Sequence, residues 1–272
     1  MDLNTITQVA RPKARNELPP WRDGDAFLGG GTWLFSEPQN RLTRLIDISA
    51  LGWEPVRATA NGLEIAATCT IAQLDGLAAP VEWIAAPLIG QCCRAFLASF
   101  KVWNTATVGG NLCMSLPAGP MISLSAALDG VCMIWAVNGS ERKVRVADFV
   151  KGPLSNDLKP GELLRRIDIP AAALIRRTAF RQISLAKVGR SAVLLIGTLD
   201  PPTGEFVLTV TASTPRPMKF SFSKLPTEDE LRGRIEREVP AYHDDIHGAP
   251  EWRRHMTLHF ARDILRELAG AR

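Results

Sequence analysis

Apolar and polar residues alternate along the chain with two different periods, which predict its secondary structure. Apolar runs or runs of period two predict β-strands at residues 25–28, 45–48, 63–68, 131–137, 142–146, 164–169, 180–185, 192–199 and 206–212. Apolar residues at helical spacing predict helices at residues 70–77, 87–97, 121–128 and 251–268. This mixture of short strands and intervening helices predicts an α+β fold.

The order of these elements divides the chain into three parts, 1–53, 54–174 and 175–272. In the first part, a glycine run and a short helical turn connect two strands, as in a small βαβ unit. The second part contains the Asn138-Gly139 hairpin signal. In the third part, three strand-like runs precede polar sequence and a final helix, which predicts a small C-terminal domain with a three-stranded sheet plus helices.

The charge of the chain gives little support to nucleic-acid binding. The 272 residues include 32 basic and 28 acidic ones, for a formal net charge of +4, and no basic run resembles a nucleic-acid-binding arm. The chain has a single tyrosine, and its basic residues are not interleaved with aromatic ones. It therefore lacks the stacking platform that binds single-stranded nucleic acids. The 46% hydrophobic and 22% charged composition is that of an ordinary folded protein.

The N-terminal residues are polar and lack a secretory signal, and the longest apolar stretches are too short to span a bilayer. These features predict a cytoplasmic protein. An odd number of cysteines in apolar surroundings, without a CxxC motif, predicts buried reduced thiols rather than disulfides or an iron–sulfur site. They are Cys69, Cys92, Cys93, Cys113 and Cys132.

Two glycine motifs are the candidate binding elements. The first, Leu28-Gly29-Gly30-Gly31-Thr32-Trp33-Leu34, follows a predicted strand, and its consecutive N–H groups can converge on a phosphate. The second, Thr105-Ala106-Thr107-Val108-Gly109-Gly110-Asn111, supplies hydroxyls, glycine amides and one side-chain amide. Each motif alone is also explained by an ordinary tight turn. Together they match what is needed to hold a dinucleotide from two sides.

Other catalytic chemistry finds little support. His255 and His259 lie one helical turn apart with Glu251 before them, but an arginine-rich terminal helix with apolar neighbours favours a packing role over a metal site. His243, Asp244, Asp245 and His247 form a second polar cluster, for which acid/base catalysis finds no further support. No GxSxG motif and no nucleophilic cysteine motif is present.

The chain resembles the FAD-binding medium subunits of the carbon monoxide dehydrogenase and xanthine dehydrogenase family of molybdenum hydroxylases. Gly29 to Leu34 resembles the family's AGG-x-[ST]-L loop, and Thr107 to Asn111 matches its T-[IV]-G-G-N loop. Four later stretches of the chain also resemble family segments, at residues 147–153, 158–164, 180–184 and 244–255. The resemblance implies a PCMH or vanillyl-alcohol-oxidase-type fold, with FAD-binding subdomains at 1–53 and 54–174 and a carbon-monoxide-dehydrogenase-flavoprotein-like C-terminal domain at 175–272.

The resemblance also implies which residues bind the cofactor. It places the FAD pyrophosphate and ribityl chain against Gly29, Gly30, Gly31, Thr32, Trp33, Leu34, Thr107, Val108, Gly109, Gly110 and Asn111. It places Leu158 near the cofactor and Arg181 as a cation close to the flavin, where it would favour the anionic reduced form. Two residues depart from the family pattern, because Pro120 stands where relatives have an acidic residue and Trp33 replaces a small polar one. No catalytic residue and no metal ligand is predicted.

By resemblance, the chain is an electron-transfer subunit that holds FAD non-covalently. A large molybdopterin-binding subunit would oxidise the substrate, a small [2Fe–2S] subunit would relay electrons, and FAD would deliver them to NAD, a quinone or oxygen. The absence of a cluster motif or catalytic constellation in this sequence is compatible with a relay role. Two alternatives remain, namely a stand-alone flavin oxidoreductase of the same fold and a scaffold subunit that lacks FAD.

Overall fold

Three larger sheets follow one another along the chain in a computed structural model that describes residues 3–270, and Val150–Gly152 and Ser155–Asn156 form a further two-stranded sheet. The strands are β1 (Gln8–Ala10), β2 (Asp25–Leu28), β3 (Arg44–Asp47), β4 (Val56–Thr59), β5 (Gly62–Ala66), β6 (Val131–Trp135), β7 (Glu141–Arg145), β8 (Val150–Gly152), β9 (Ser155–Asn156), β10 (Leu163–Pro170), β11 (Arg177–Ile183), β12 (Val193–Leu199), β13 (Phe206–Thr211) and β14 (Met218–Phe222). The helices are α1 (Ile71–Asp75), α2 (Ala86–Ala95), α3 (Phe100–Trp103), α4 (Val108–Met114), α5 (Pro120–Ala127), α6 (Val146–Phe149), α7 (Ala171–Leu174), α8 (Glu228–Glu238) and α9 (Pro250–Ala269), with 3-10 turns at Arg15–Glu17 and Ile48–Leu51.

The first sheet is parallel and has the order β1-β3-β2. Its first strand, β1, was absent from the sequence prediction because a three-residue, largely exposed strand leaves no clear alternation. The predicted helical turn between β2 and β3 is a series of turns instead. A buried ion pair supports the sheet, since Arg44 Nε donates to Asp25 Oδ1 at 2.8 Å and the Asp25 side chain is fully buried.

The second sheet is antiparallel and has the order β4-β5-β10-β6-β7. Buried side chains from its strands join those of α1, α2, α4 and α5 in the largest hydrophobic core of the described residues. Helix α1 begins at a capping box, in which the Thr70 hydroxyl accepts from Gln73 N and the Gln73 side chain accepts from Thr70 N. This core fixes the strand ends and helices that surround the second glycine motif.

The C-terminal sheet has four strands in the order β11-β12-β13-β14, all antiparallel. The prediction of three strands missed β14, because two prolines directly before it favoured a connecting loop. It also missed α8, although Thr227 and Glu230 form a capping box that the sequence displays. Strand β12 is buried along its whole length, since one face packs toward α5 and the other toward α9.

A buried arginine fixes the start of α9 to this sheet. Arg253 is 1% exposed, and its Nη1 donates to the carbonyl oxygens of Ala192 and Ala212, each at 2.5 Å. Its Nη2 pairs with Asp245 and its Nε donates to Gly248 O at 2.8 Å. The polar cluster at residues 243–247 therefore includes an anchoring loop before the helix.

Two further observations concern the described residues alone. None of their helices is long and apolar enough to cross a membrane. Within residues 3–270, no three or more His, Cys, Asp and Glu side chains converge to hold a metal ion. His259 lies 3.4 Å from Asp263, its neighbour one turn later on α9.

Candidate cofactor site

One cavity of about 470 Å³ brings the two glycine motifs together. This volume lies within the range of small-molecule and cofactor sites. The lining comes from β2 and the loop after it, from α2 to α5 with their connecting segments, and from the loop between β11 and β12. The lining residues are Phe27, Gly29, Gly30, Gly31, Thr32, Trp33, Leu34, Ser36, Ala95, Phe96, Leu97, Val102, Ala106, Thr107, Gly110, Asn111, Cys113, Met114, Leu116, Ala118, Gly119, Pro120, Arg190 and Ser191.

The first glycine loop follows β2 and keeps its backbone donors free. None of the amide N–H groups of residues 30–34 donates a hydrogen bond to another described residue. Gly30 packs against the second motif so closely that a Cβ atom there would lie 1.8 Å from Thr105 O. Only glycine allows this approach without a shift of the backbone. The loop therefore offers several adjacent donors at a fixed place beside the second motif.

The second glycine motif uses its first amides to hold the fold. Val108 N donates to Cys69 O at 2.8 Å, and Gly109 N donates to Ala67 O at 3.0 Å. A Cβ atom on Gly109 would lie 2.5 Å from Ala67 Cβ. Val108 and Gly109 therefore face the protein interior and do not line the cavity.

The end of the same motif faces the cavity through Gly110 and Asn111. Gly110 N donates to Thr107 Oγ1 at 3.0 Å, which caps the start of α4. Asn111 Oδ1 accepts from Met121 N at 3.2 Å, which fixes the orientation of the side chain. Its Nδ2 has no acceptor among the described residues and is available to a bound molecule.

Besides Val108 and Gly109, two more of the predicted cofactor contacts, Leu158 and Arg181, lie outside the cavity lining. Arg181 is on the face of β11 toward α9, where its Nη2 donates to Glu267 Oε2 at 2.6 Å and its side chain lines a separate cleft. Alternation along the strand explains this, because Phe180 packs against the large core on the other face. Leu158 packs at the edge of that core and is not part of the cavity lining.

The cavity also contains residues that the sequence prediction did not select. Their positions follow from folding rather than from a motif, although Phe96 and Leu97 belonged to a predicted apolar helix. The additional residues are Phe27, Ser36, Ala95, Phe96, Leu97, Val102, Ala106, Cys113, Met114, Leu116, Ala118, Gly119, Pro120, Arg190 and Ser191. Pro120 was marked only by the resemblance, as a residue that stands where relatives have an acidic one.

The lining changes in character from one section to another. One section is apolar and comes from α2, α3 and the segment between them, with Ala95, Phe96, Leu97 and Val102. A second section contains Leu116, Ala118, Gly119 and Pro120, with Arg190 and Ser191 beside them, and Arg190 carries the one charged side chain of the described lining. The glycine loops lie between these sections, because Gly30 contacts Thr105 while Asn111 contacts Gly119.

No reactive thiolate and no carboxylate faces this cavity from the described residues. Cys113 is the lining cysteine, and burial raises the pKa of its thiol to about 12, so the neutral form prevails at neutral pH. The other four cysteines are buried, and none of the five forms a disulfide. A cavity of this kind binds and orients a molecule but supplies no acid/base pair or nucleophile.

The free amides, the close-approach glycine and the apolar section fit FAD. A diphosphate needs clustered N–H donors, and an adenine or isoalloxazine ring needs apolar walls. The fold and the cavity thus define a dinucleotide-binding flavoprotein domain.

The comparison with protein families identifies the domain more closely. Residues 6–172 match the family described as the FAD binding domain in molybdopterin dehydrogenase. This match covers more than half of the chain, and the chain belongs to that family.

Individual relatives agree with this assignment. The chain is 30% identical over 127 residues to the glyceraldehyde dehydrogenase medium chain of Sulfolobus acidocaldarius, covering 46% of this chain and 44% of that one. It is 27% identical over 209 residues to the caffeine dehydrogenase subunit beta of a Pseudomonas species, covering 72% and 68%. The match thus spans less than half of the Sulfolobus chain.

A solved structure of quinoline 2-oxidoreductase from Pseudomonas putida 86 shares the fold, with a TM-score of 0.81 at 22% identity over 100% of this chain and 99% of that one. The predicted family, the α+β fold class and FAD as the cofactor are confirmed. The predicted class of enzyme, an oxidoreductase flavoprotein, is confirmed with them.

Proposed function

We propose that this chain is the FAD-binding electron-transfer subunit of a heteromeric molybdenum-containing hydroxylase or dehydrogenase. In this assembly, a large subunit with molybdopterin oxidises the substrate, and a small subunit with [2Fe–2S] clusters passes electrons to this chain. An external acceptor, which is NAD, a quinone or oxygen, receives them. The observation that carries the proposal is a cavity built to hold a dinucleotide without any catalytic side chains of its own.

The first glycine loop would hold the diphosphate of FAD. Its free amides at residues 30–34 meet the need of phosphate oxygens for several donors. Asn111 Nδ2 adds a side-chain donor from the second motif, and Gly110 leaves room for close approach. Thr107 lines the cavity as well, and its hydroxyl oxygen accepts from Gly110 N, which fixes the start of α4.

Bound FAD would supply the redox chemistry, since a flavin exchanges electrons singly or in pairs. The chain's own residues bind and orient it. The apolar section at residues 95–102 would exclude water from one ring system, while residues 116–120 and 190–191 would contact the other.

A non-covalent cofactor agrees with the lining. A covalent flavin link needs a nucleophilic side chain, and the Cys113 thiol is held neutral by burial. The four histidines lie between residues 243 and 259, and none lines the cavity. We expect acid precipitation of the purified protein to release the yellow colour into solution.

The multi-subunit part of the proposal rests on the relatives, which are a medium chain and a subunit beta of dehydrogenases. Each name describes one chain of a larger enzyme. A cytoplasmic location and the division into parts at 1–53, 54–174 and 175–272 belong to the same proposal. The three larger sheets agree with that division, because each lies within one part.

The test is purification of the native assembly through a tag on this chain, followed by metal analysis and a flavin spectrum. We expect molybdenum, iron and FAD to copurify, with FAD retained by this chain when it is purified alone. Substrate oxidation by the isolated chain would point instead to a stand-alone flavin oxidoreductase. Copurification of the partners without FAD in either preparation would point to a scaffold subunit.

A further inference from the structure

Arg190 is the cation of the cofactor cavity. Among the described residues that line the cavity, it is the only one with a charged side chain. The resemblance had assigned a cationic role to Arg181, but that guanidinium faces α9 and is paired with Glu267. Arg190 takes part in none of the ion pairs between described residues around it.

The backbone at Arg190 is anchored although its side chain is exposed. The next residue, Ser191, is 2% exposed, and its hydroxyl accepts from Gln182 Nε2 at 3.1 Å. Ala192 N donates to Ile183 O at 2.9 Å, and Ala192 O accepts from the buried Arg253. These contacts pin the Cα position of Arg190 at the cavity edge, so its reach is limited to the nearby part of a bound molecule.

Contacts with other elements place that edge beside residues 116–120. Arg253 Nη1 bridges Ala192 O and Ala212 O, and Ala212 N donates to Pro117 O at 2.9 Å. Residues 190–191 therefore neighbour residues 116–120, on the far side of Asn111 from the first glycine loop. The free amides for a diphosphate lie in that loop, not here.

The two ring systems of FAD differ in what they need from a protein. Adenine is satisfied by an apolar slot such as residues 95–102, whereas the pyrimidine edge of the isoalloxazine carries several polar atoms that need partners. The section beside Arg190 suits that polar edge of the isoalloxazine, because its guanidinium is the one charged group that the described lining offers. Uptake of two electrons and one proton leaves this neutral ring with one negative charge, and a nearby cation stabilises that charge.

We infer that Arg190 is a positioning residue at the isoalloxazine end of the cavity and that its guanidinium raises the reduction potential of bound FAD. The inference rests on the proposed function, since it requires FAD in this cavity. No carboxylate in the described lining competes for the guanidinium, because residue 120 is proline.

The experiment measures the reduction potential of FAD bound to the full chain, together with the dissociation constant of oxidised FAD. Arg190→Gln is compared with Lys187→Gln, which removes a charge from the same exposed loop at a residue outside the lining. Arg190→Lys keeps the charge. We expect Arg190→Gln to lower the equilibrium constant for two-electron reduction about tenfold, or ~30 mV. In Lys187→Gln and Arg190→Lys, this equilibrium constant should stay within about twofold of the wild-type value.

The remaining outcomes overturn the inference. An unchanged potential in Arg190→Gln, with or without weaker binding of oxidised FAD, means that the guanidinium serves the diphosphate or nothing at all. An equal fall of the reduction potential in Lys187→Gln means that positive charge on this loop acts from a distance, without a specific role for Arg190. A wild-type chain that holds no FAD overturns the proposed function itself, so the two failures are distinguishable.

Discussion

The two glycine loops look alike in sequence but use their backbones in opposite ways. In the first loop, the N–H groups of residues 30–34 are free and point to a ligand role. In the second loop, Val108 N and Gly109 N are bound to Cys69 O and Ala67 O. A glycine-rich motif therefore predicts close backbone approach, and Gly30 and Gly109 both approach a neighbouring chain segment. The motif does not tell which amides stay free, and those of the first loop do.

The supports of the two loops differ as well. The first loop follows a strand held by the buried Asp25–Arg44 ion pair, with only a small apolar cluster beside it. The second lies in the largest hydrophobic core, where Val108 and Leu112 are fully buried. Charge pairing thus supports the first loop and apolar packing the second, and each support can be removed separately.

Asp25→Asn should have the largest effect, because it leaves the Arg44 guanidinium buried without its countercharge. Breaking a buried pair in this way costs about 3 kcal/mol. We expect urea unfolding of the FAD-free chain to show this loss at pH 7, accompanied by weaker FAD binding through the first loop. Asp23→Asn, at the exposed neighbouring turn, is the control and should change stability by less than ~0.5 kcal/mol.

The Asp25–Arg44 ion pair also predicts how the loss of stability in Asp25→Asn depends on pH. Burial opposes ionisation of Asp25, but hydrogen bonds from Arg44 and from Arg22 N outweigh it and lower the pKa below the ordinary value of 3.8. A lowered carboxyl pKa in the folded state stabilises the fold above pH 3.8, and this contribution is lost as the pH falls through the folded-state pKa. The difference in the free energy of unfolding between wild type and Asp25→Asn should become smaller below pH 4. A difference that stays constant with pH would contradict the ion-pair explanation.

Gly109→Ala tests the apolar support of the second loop. Its new methyl group would lie 2.5 Å from Ala67 Cβ and 2.6 Å from Ala67 O, so strand and helix must separate. Such overpacking costs about 2 kcal/mol. Gly152→Ala is the matched control, because no atom lies within 4 Å of its new Cβ. Thermal unfolding of both FAD-free variants measures the difference, and equal melting temperatures would mean that the approach at residue 109 is not tight.

Gly30→Ala tests whether the first loop acts mainly in binding. The new Cβ would lie 1.8 Å from Thr105 O, so the loop must move away and carry its free amides with it. We expect FAD to bind at least tenfold more weakly, a loss of ~1.4 kcal/mol, while the FAD-free chain loses less stability than Gly109→Ala. Gly29→Ala, with its nearest contact at 3.1 Å to the Thr107 hydroxyl, should lose less affinity. Titration with FAD monitored by fluorescence measures the affinity of both variants. If Gly30→Ala bound FAD as tightly as wild type, the first loop would have no role in binding.

The sequence predicted the main strands and helices of the second and third sheets because their alternation and caps are local properties. It missed the short strands β1, β4, β8, β9 and β14, which gain their stability from pairing rather than from their own pattern. Of the predicted site residues, those of the first loop line the cavity, and their contact with FAD stays a prediction.

Arg181 shows why the remaining contacts were not predictable. Which face of a strand a residue occupies depends on register and on what covers each face, and Glu267, its partner, is 86 residues away in the chain. Arg190 lies in no motif and reaches the cavity only because the loop between β11 and β12 is anchored there. The motifs predict where the cavity lies, whereas tertiary packing decides which charged side chains reach it.

Asn111→Asp sharpens the contrast within the second loop, whose amides serve the fold but whose last side chain faces the cavity. The carboxylate keeps an acceptor for Met121 N and replaces the free Nδ2 donor with a negative charge. We expect stability within ~0.5 kcal/mol of wild type and about fivefold weaker FAD binding, or ~1 kcal/mol, with the loss decreasing at high salt. Asn111→Ala is the counterpart, because it removes the acceptor and should destabilise the FAD-free chain by ~1 kcal/mol. Wild-type affinity in Asn111→Asp, at low salt and at high salt, would show that Asn111 serves the fold alone, as Gly109 does.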